Sequence, residues 1–485
     1  DWGARLEKAR KAYEKAYRLL DERRFKEAAE TAEAALEALD GLDVPLARRV
    51  ETLKKEIARR AGAARRTERM RRLVEKADGL RAAGRYREAA AAYRRALEMD
   101  PSDEGAKDGA DFCERAAAAV EAFGQGRWKE AADAAGDALT RARDRRMKKI
   151  LFAAAVRSGQ WYRFSVTSRR VHAGRTVAGA LPSGLIVSAG VDKNLVLHDG
   201  TGAKLQTLRL DAPVRSLITC GDTVVLGASD GGLAAYRLDG KSLKPLWKNK
   251  GHRLWVRSLA VAGDGSLYSG GSDGRVVRRR LATGEKISER RILRAGWVNA
   301  LLPLPDGRIA AACSDHAIHI LTADLSEEVL RRKGHSGAVL ALKLAPDVRV
   351  TADDTFRGEF VERTGTLTKL RTGLGTVEID NDKIKSVLYS VFSSGTDGRI
   401  LKDGRTFCKA PKAPFRALAG LDGLLVATRA DVFVLLPAAG ENTVKPLRTF
   451  RLPAKGVSIA VDPDGLRAVV GCDDGSISVW GLGDR

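Results

Sequence analysis

The sequence predicts two fold classes in one chain: an α-helical repeat array over residues 1–155, then an eight-bladed β-propeller over 158–485. Three observations carry this. The phrase Arg24-Phe25-Lys26-Glu27-Ala28-Ala29 recurs as Arg85-Tyr86-Arg87-Glu88-Ala89-Ala90 and Arg127-Trp128-Lys129-Glu130-Ala131-Ala132. A second phrase recurs later: Val214-Arg215-Ser216-Leu217, Val256-Arg257-Ser258-Leu259, Val298-Asn299-Ala300-Leu301, Val339-Leu340-Ala341-Leu342 and Phe415-Arg416-Ala417-Leu418. An Asp-bearing turn returns roughly every 40 residues: at Asp192, Asp230, Asp273, Asp315, Asp354, Asp397, Asp431 and Asp474. Repeat arrays build large surfaces, and such surfaces bind.

The helical part follows from its residues. Ala, Leu, Glu, Lys and Arg dominate residues 4–39, which read as two helices around Arg23-Arg24-Phe25. The same unit recurs around Gly84-Arg85-Tyr86 and Gly126-Arg127-Trp128, with glycine supplying a left-handed helix end. Ala28, Ala89 and Ala131 fall where helices cross closely, and Pro101 stops the helix that carries Tyr93 and Ala96. The long interval from Phe25 to Tyr86 leaves room for an extra helix, Val44 to about Ala61, with Pro45 near its start. Residues 141–149 are strongly basic, with Arg141, Arg143, Arg145, Arg146, Lys148 and Lys149. They read as a solvated helix face leading into a connector, with nucleic-acid contact as the other reading.

The β part consists of short Val-, Leu-, Ile- and Ala-rich runs between Asp-Gly and Ser-Asp-Gly turns, which suit tight hairpins. A period of four short strands means a propeller. The last blade, Gly456 to Leu482, offers only three strands. Trp161 to Val166 is strand-like and is expected to supply the fourth, pairing around Ser476 to Trp480 and locking the ring.

The residues resemble two known families. Ala83 to Pro101 is similar to a tetratricopeptide repeat (TPR), and the other two copies match more weakly, with Ala32 and Ala135 where Tyr93 stands. The resemblance implies a TPR-like α-solenoid with a concave groove for a peptide or partner helix; these helices otherwise serve only to pack on the propeller or on a second copy. Gly251-His252, Trp255-Val256-Arg257-Ser258-Leu259 and Ser269-Gly270-Gly271-Ser272-Asp273-Gly274 resemble the WD40 family. That resemblance implies a WD40-like propeller and a buried hydrogen-bond relay of His252, Ser269 and Asp273. Gly334-His335 with Thr351 and Asp353 is a second, looser set. The Trp-Asp ending survives only as His198-Asp199 and Val479-Trp480-Gly481, with Arg278-Arg279-Arg280 at its place in one blade. Residues 199–204 and 282–286 also occur in quinoprotein-type propellers, but too few tryptophans follow them for a quinone site.

No catalytic constellation, cofactor site or phosphate loop emerges. Cys313, Asp315, His316 and His319 crowd one hairpin, but His319 and His316 point to opposite faces and no second cluster accompanies them, so a structural turn is expected rather than a metal site. By the WD40 resemblance, Trp255 and Trp297 stand just before innermost strands, on the face that receives partners, with Arg253, Arg294 and His335 on adjacent connections. Arg215, Arg257 and Arg416 stand one place inside the strands. Two readings stand: binding anchors, or tryptophans that cap blades structurally.

Net charge is +23 with pI ≈ 10.0, which fits either a solvated basic surface or an acidic partner. The five widely spaced cysteines argue against a disulfide framework and for a reducing compartment; the expected setting is cytoplasmic, in a bacterium, with an exported or membrane-associated form as the alternative. No apolar run approaches the ~18 residues of a membrane span. The sequence starts at Asp1, so an upstream leader, anchor or catalytic domain stays open. The favoured expectation is a non-catalytic scaffold or adaptor that holds acidic or peptide-presenting protein subunits in a larger assembly, with a homo-oligomer as one arrangement. The alternative is a nucleic-acid or anionic-surface binder driven by charge.

Overall fold

A computed structural model describes the chain except residues 1, 41–44, 346–347, 353, 365, 373–374, 410–413, 422–423, 438–443, 463–465 and 483–485. It divides into two units, 1–160 and 161–485.

The first unit holds α1 (Trp2–Asp21), α2 (Phe25–Ala38), α3 (Pro45–Ala82), α4 (Tyr86–Leu97), α5 (Glu104–Gly124), α6 (Trp128–Leu139) and α7 (Arg145–Ser158). Each helix packs on the next, and α1, α3, α5 and α7 touch in turn. The repeated phrase explains three of the junctions. Arg23, Gly84 and Gly126 all have positive φ and end the preceding helix. The N–H groups of Arg24, Arg85 and Arg127 donate back to the carbonyls of Leu19, Leu80 and Ala122, which satisfies helix-end carbonyls. The same three arginines cap the next helix without a side-chain cap bond. Instead each reaches the glutamate three residues on: Arg24 Nε to Glu27 at 2.8 Å, Arg85 Nε to Glu88 at 2.7 Å, and Arg127 to Glu130. That pair keeps a carboxylate at the positive end of the helix dipole. Ala28, Ala89 and Ala131 are wholly buried at the crossings.

The extra helix expected over Val44 to about Ala61 is not a separate element. It is the first half of α3, which runs unbroken for 38 residues. Ala, Arg, Lys and Glu fill the join, Glu68–Arg72 pairs support it at 2.9 Å, and no proline interrupts it. Val50, Leu53 and Ile57 bury into a cluster with α1 and α2. Beyond Ala61 no described residue of α3 is buried until Ala77.

The second unit consists of eight sheets among the described residues. Six are four-stranded meanders: residues 176–209, 214–250, 256–291, 298–333, 339–344 with 391–409, and 415–451. The seventh takes three strands from residues 456–482 and its outer strand from Phe164–Arg170, which pairs antiparallel from Phe164↔Leu482 to Arg170↔Ser476. Trp161–Arg163 is a 3₁₀ turn ahead of that strand. Phe164 stacks on buried Trp480 with ring centroids 5.0 Å apart. The first strands of these seven sheets touch in succession, and Gly456–Val461 touches Thr176–Ala180. Ser216 Oγ donates to Val256 O at 3.0 Å and Asn299 Nδ2 to Val339 O at 2.9 Å, so polar side chains tie the second sheet to the third and the fourth to the fifth. The apolar cores lie between neighbouring sheets.

The eighth sheet is different, and the expectation of eight equivalent blades is corrected here. Residues 348–388 form a five-stranded sheet inserted in the hairpin between Val339–Leu344 and Val391–Gly395, which pair with each other directly. The turn at Asp354 belongs to this insertion, between Val348–Thr351 and Thr355–Arg363. An Asp turn suits any tight hairpin, whichever sheet it serves. The insertion shares a core with its neighbours: Val348, Val350 and Leu370 pack with Leu304, Leu344 and Val391.

Candidate functional site

One polar unit recurs where loops enter the first, third and fifth sheets. His252 Nδ1 donates to Asp273 at 3.0 Å, and His252 Nε2 accepts from the Ser269 hydroxyl at 2.8 Å. His172 bonds Asp192 at 3.0 Å and Ser188 at 2.8 Å in the same way. His335 bonds Asp397 and Ser393, each at 3.0 Å. The looser set of His335, Thr351 and Asp353 is thereby corrected: His335 takes partners 58 and 62 residues on because the inserted sheet intervenes, and Asp353 lies outside the described residues.

The unit carries a short signature, Ser-x-Gly-x-Asp, present as 188–192, 269–273 and 393–397. The glycine is required because the imidazole lies against it. A Cβ on Gly271 would stand 2.4 Å from His252 Nδ1, and one on Gly395 would stand 2.6 Å from His335 Nδ1. The carboxylates also bind loop backbone. Asp273 accepts from the N–H groups of Arg253 and Arg275 at 3.1 and 3.2 Å, and Asp397 accepts from Ser336 N at 3.0 Å. Burial acts to raise the Asp273 carboxyl, but these bonds outweigh it and hold the group down at about 2, as they do for Asp397. Burial lowers His172 and His335 more than their carboxylate partners raise them, so both rings favour the neutral form. Each relay therefore pins the loop that enters its sheet.

The pinned loop before the third sheet displays Arg253, Leu254 and Trp255, all exposed; Leu254 is 52% and Trp255 42% exposed. The loop before the fourth sheet displays Arg294 and Trp297, the latter 49% exposed, with Trp297 N–H donating to Ser314 Oγ at 2.8 Å. Each tryptophan carries an arginine from the preceding sheet: Arg215 lies 4.2 Å from the Trp255 ring centre, and Arg257 lies 4.7 Å from that of Trp297. Arg215 and Arg257 occupy bulges in their innermost strands, between Val214 and Ser216 and between Val256 and Ser258. A bulge releases one residue from the ladder and re-aims its side chain. His335 does not join this display. It is 8% exposed and held inside its relay, so its expected place beside the tryptophans is corrected. Leu254 was not singled out from sequence, because nothing in a lone loop leucine marks it as exposed.

The basic segment 141–149 is divided rather than continuous. Arg141 faces Asp108 and Asp111 at 3.6 and 3.7 Å. Asp144 caps α7 through Met147 N at 2.9 Å, and the Arg146 guanidinium reaches the turn at Gly84. Arg143, Arg145 and Lys148 are exposed, and Lys149 is half-buried. Separately, α2 and the middle of α3 border a groove of about 1020 Å³ over Phe25, Ala29, Ile57, Ala61 and Arg65.

Donor atoms of Cys313, Asp315 and His319 lie within 4.8 Å of one another. Their chemistry suits a structural knot better than a metal. His319 bonds Asp315 at 3.1 Å and Glu328 at 2.9 Å, and Arg331 pairs with Asp315. Burial pushes the Cys313 thiol up, away from the thiolate a metal would need. Of the other cysteines, Cys113, Cys408 and Cys472 are buried and Cys220 is exposed, and no disulfide joins any of the five. No helix among the described residues is long and apolar enough to cross a membrane.

Residues 243–277 and 444–481 match the model of the WD40 family, described as WD domain, G-beta repeat. Each match starts at or just before the outer strand of one sheet and ends in the third strand of the next. No curated protein matches the chain. A solved structure of a computationally designed protein, Ika8, is 20% identical and covers 64% of this chain and 97% of its own, with a TM-score of 0.46.

Proposed function

We propose that this protein is a non-catalytic scaffold whose WD40 repeats hold another protein subunit, with the docking surface centred on Trp255 and Trp297. In this reading the strand-rich unit is a seven-bladed WD40-type propeller closed by Phe164–Arg170, and the helical unit is a TPR-like array that adds the groove over α2 and α3. WD40 repeats at 243–277 and 444–481 support an interaction role. The observation that carries the proposed surface is the pair of half-exposed tryptophans on adjacent sheets, each braced by an arginine and presented by a fixed loop. Large aromatics beside arginines are the side chains most often responsible for binding energy at protein interfaces.

The test is the double change Trp255→Ala, Trp297→Ala. Capture of the main partner from the native source falls at least about thirtyfold, from the ~2 kcal/mol or more that buried aromatic anchors contribute. Removing two exposed cation–π pairs costs about 1–2 kcal/mol of stability, so the melting temperature drops by only a few degrees. A much larger drop assigns the tryptophans to blade capping; a stable variant with full capture moves the surface to the groove over α2 and α3. The charge-driven alternative rests on the net +23. It requires partner binding to collapse between about 50 and 200 mM salt, as counter-ion release dictates.

A further inference from the structure

The bulge positions that brace the tryptophans also gather positive charge. Arg215, Arg257 and Arg416 sit at the bulges of the second, third and sixth sheets, where the fourth, fifth and seventh carry Asn299, Leu340 and Val457. Arg175 immediately precedes the first strand of the first sheet, Thr176–Ala180. Arg215, Arg257 and Arg416 all act on Arg175 by charge, and after burial they are what lower its pKa. Arg215 acts on Arg257 in the same way. Asp473 is the carboxylate that opposes them. Asp192, Asp273 and Asp397, at the turns beside three of these loops, are engaged by histidines.

Hydrogen bonding leaves the cluster unsatisfied. The Nε atoms of Arg175 and Arg215 are buried and have no hydrogen-bond partner among the described residues. Arg257 Nε donates to Asn299 Oδ1 at 3.0 Å, and Arg416 is exposed. A buried guanidinium N–H without an acceptor is costly, and like charges at close range add to that cost. An anion with several oxygens relieves both. Four guanidiniums against one carboxylate leave a surplus of three positive charges. A single phosphoryl group carries about −1.5 to −2 at neutral pH, which falls short; two or three phosphoryl groups match it. Guanidinium forks suit phosphate oxygens geometrically.

We propose that Arg175, Arg215, Arg257 and Arg416 form a binding site for a compact oligophosphate anion of two or more phosphoryl groups, at the end of the innermost strands beside Trp255 and Trp297. The site shares a face with the proposed partner surface, and Arg215 and Arg257 border both; its test reads anion binding by the chain alone, so the outcome of the partner-capture experiment does not decide it.

The experiment is calorimetric titration of the full chain at constant ionic strength with sodium triphosphate, pyrophosphate and orthophosphate. Affinity rises from orthophosphate to triphosphate by at least about tenfold, as each added charge-assisted contact requires. Arg175→Gln with Arg416→Gln weakens triphosphate binding by about tenfold or more, while Arg141→Gln, on the helical unit, changes nothing. Without ligand, the double variant melts at or above the wild-type temperature, because repulsion has been removed. Should it misfold, Arg416→Gln alone, an exposed position, still weakens triphosphate several-fold. The proposal is overturned by no heat from triphosphate up to about 1 mM. It is overturned equally by equal affinity for all three anions, which is general screening, or by wild-type affinity in the arginine variants. Binding of a singly phosphorylated peptide with higher affinity than triphosphate also overturns it, in favour of a modified partner.

Discussion

Replacing Asp273 with alanine removes the hub of one relay. Its carboxylate accepts from His252 Nδ1, Arg253 N and Arg275 N, and its side chain is 8% exposed, so little screening applies. Lowering this carboxyl from its ordinary 3.8 to about 2 corresponds to about 2.4 kcal/mol at neutral pH, at about 1.36 kcal/mol per pH unit. Leaving the buried His252 N–H without an acceptor adds about 1 kcal/mol, giving about 3–4 kcal/mol in all. The sign with pH follows from the lowered carboxyl. Its contribution is complete above the unfolded value of 3.8 and disappears as pH falls through about 2. Near pH 3 about 1 kcal/mol of it has gone. Urea unfolding followed by tryptophan fluorescence reads mainly the strand-rich unit, which holds five of the seven tryptophans. The gap between wild type and Asp273→Ala is expected at about 3–4 kcal/mol at pH 7, narrowing by about 1 kcal/mol near pH 3. A gap below about 1 kcal/mol at pH 7, or one that stays constant on acidification, would refute the relay as a stabilising element.

Two further perturbations test the framework. Arg23 holds φ 59 at the helix end where the other two copies have glycine; Arg23→Gly is expected to stabilise the helical unit by about 1 kcal/mol in thermal unfolding, and a loss of stability would contradict the strain argument. Phe164→Ala strips the ring stacked on Trp480 and is expected to cost about 3–4 kcal/mol in urea unfolding; removal of residues 1–160, which spares this strand, should leave the strand-rich transition near its full-length midpoint.

Local chemistry was legible in the sequence and long-range pairing was not. The phrase at Arg24, Arg85 and Arg127 marks three helix junctions because its functions, a left-handed stop and an Arg–Glu bridge across the next helix start, are local. The continuity of α3 is not legible because a helix of strong formers declares no boundary, and a repeat length suggests a break where the residues supply none. The inserted sheet was counted as a blade for a similar reason: Asp354 heads a hairpin as Asp397 does, and a turn residue does not report which sheet its strands join. That miscount also led His335 to the wrong partners, since 62 residues separate it from Asp397 where 21 separate His252 from Asp273. The spacing inside Ser-x-Gly-x-Asp was the better guide, because it is fixed within one hairpin and untouched by what is inserted before it. Read that way, it also reveals His172, which lacks the preceding glycine of Gly251-His252 and Gly334-His335.

The bulges bear on how this molecule changes over generations. Position 215, 257, 299, 340, 416 or 457 is skipped by the ladder of its sheet, while the paired valines beside the first four, 214, 256, 298 and 339, are buried. Foldability is vested in the buried neighbours and recognition in the skipped residues. Mutational drift can therefore exchange arginine, leucine or valine around this collar at small cost to assembly, Asn299 with its bond to Val339 O being the exception. Such a lineage can acquire a new ligand by single substitutions, each tolerated on arrival.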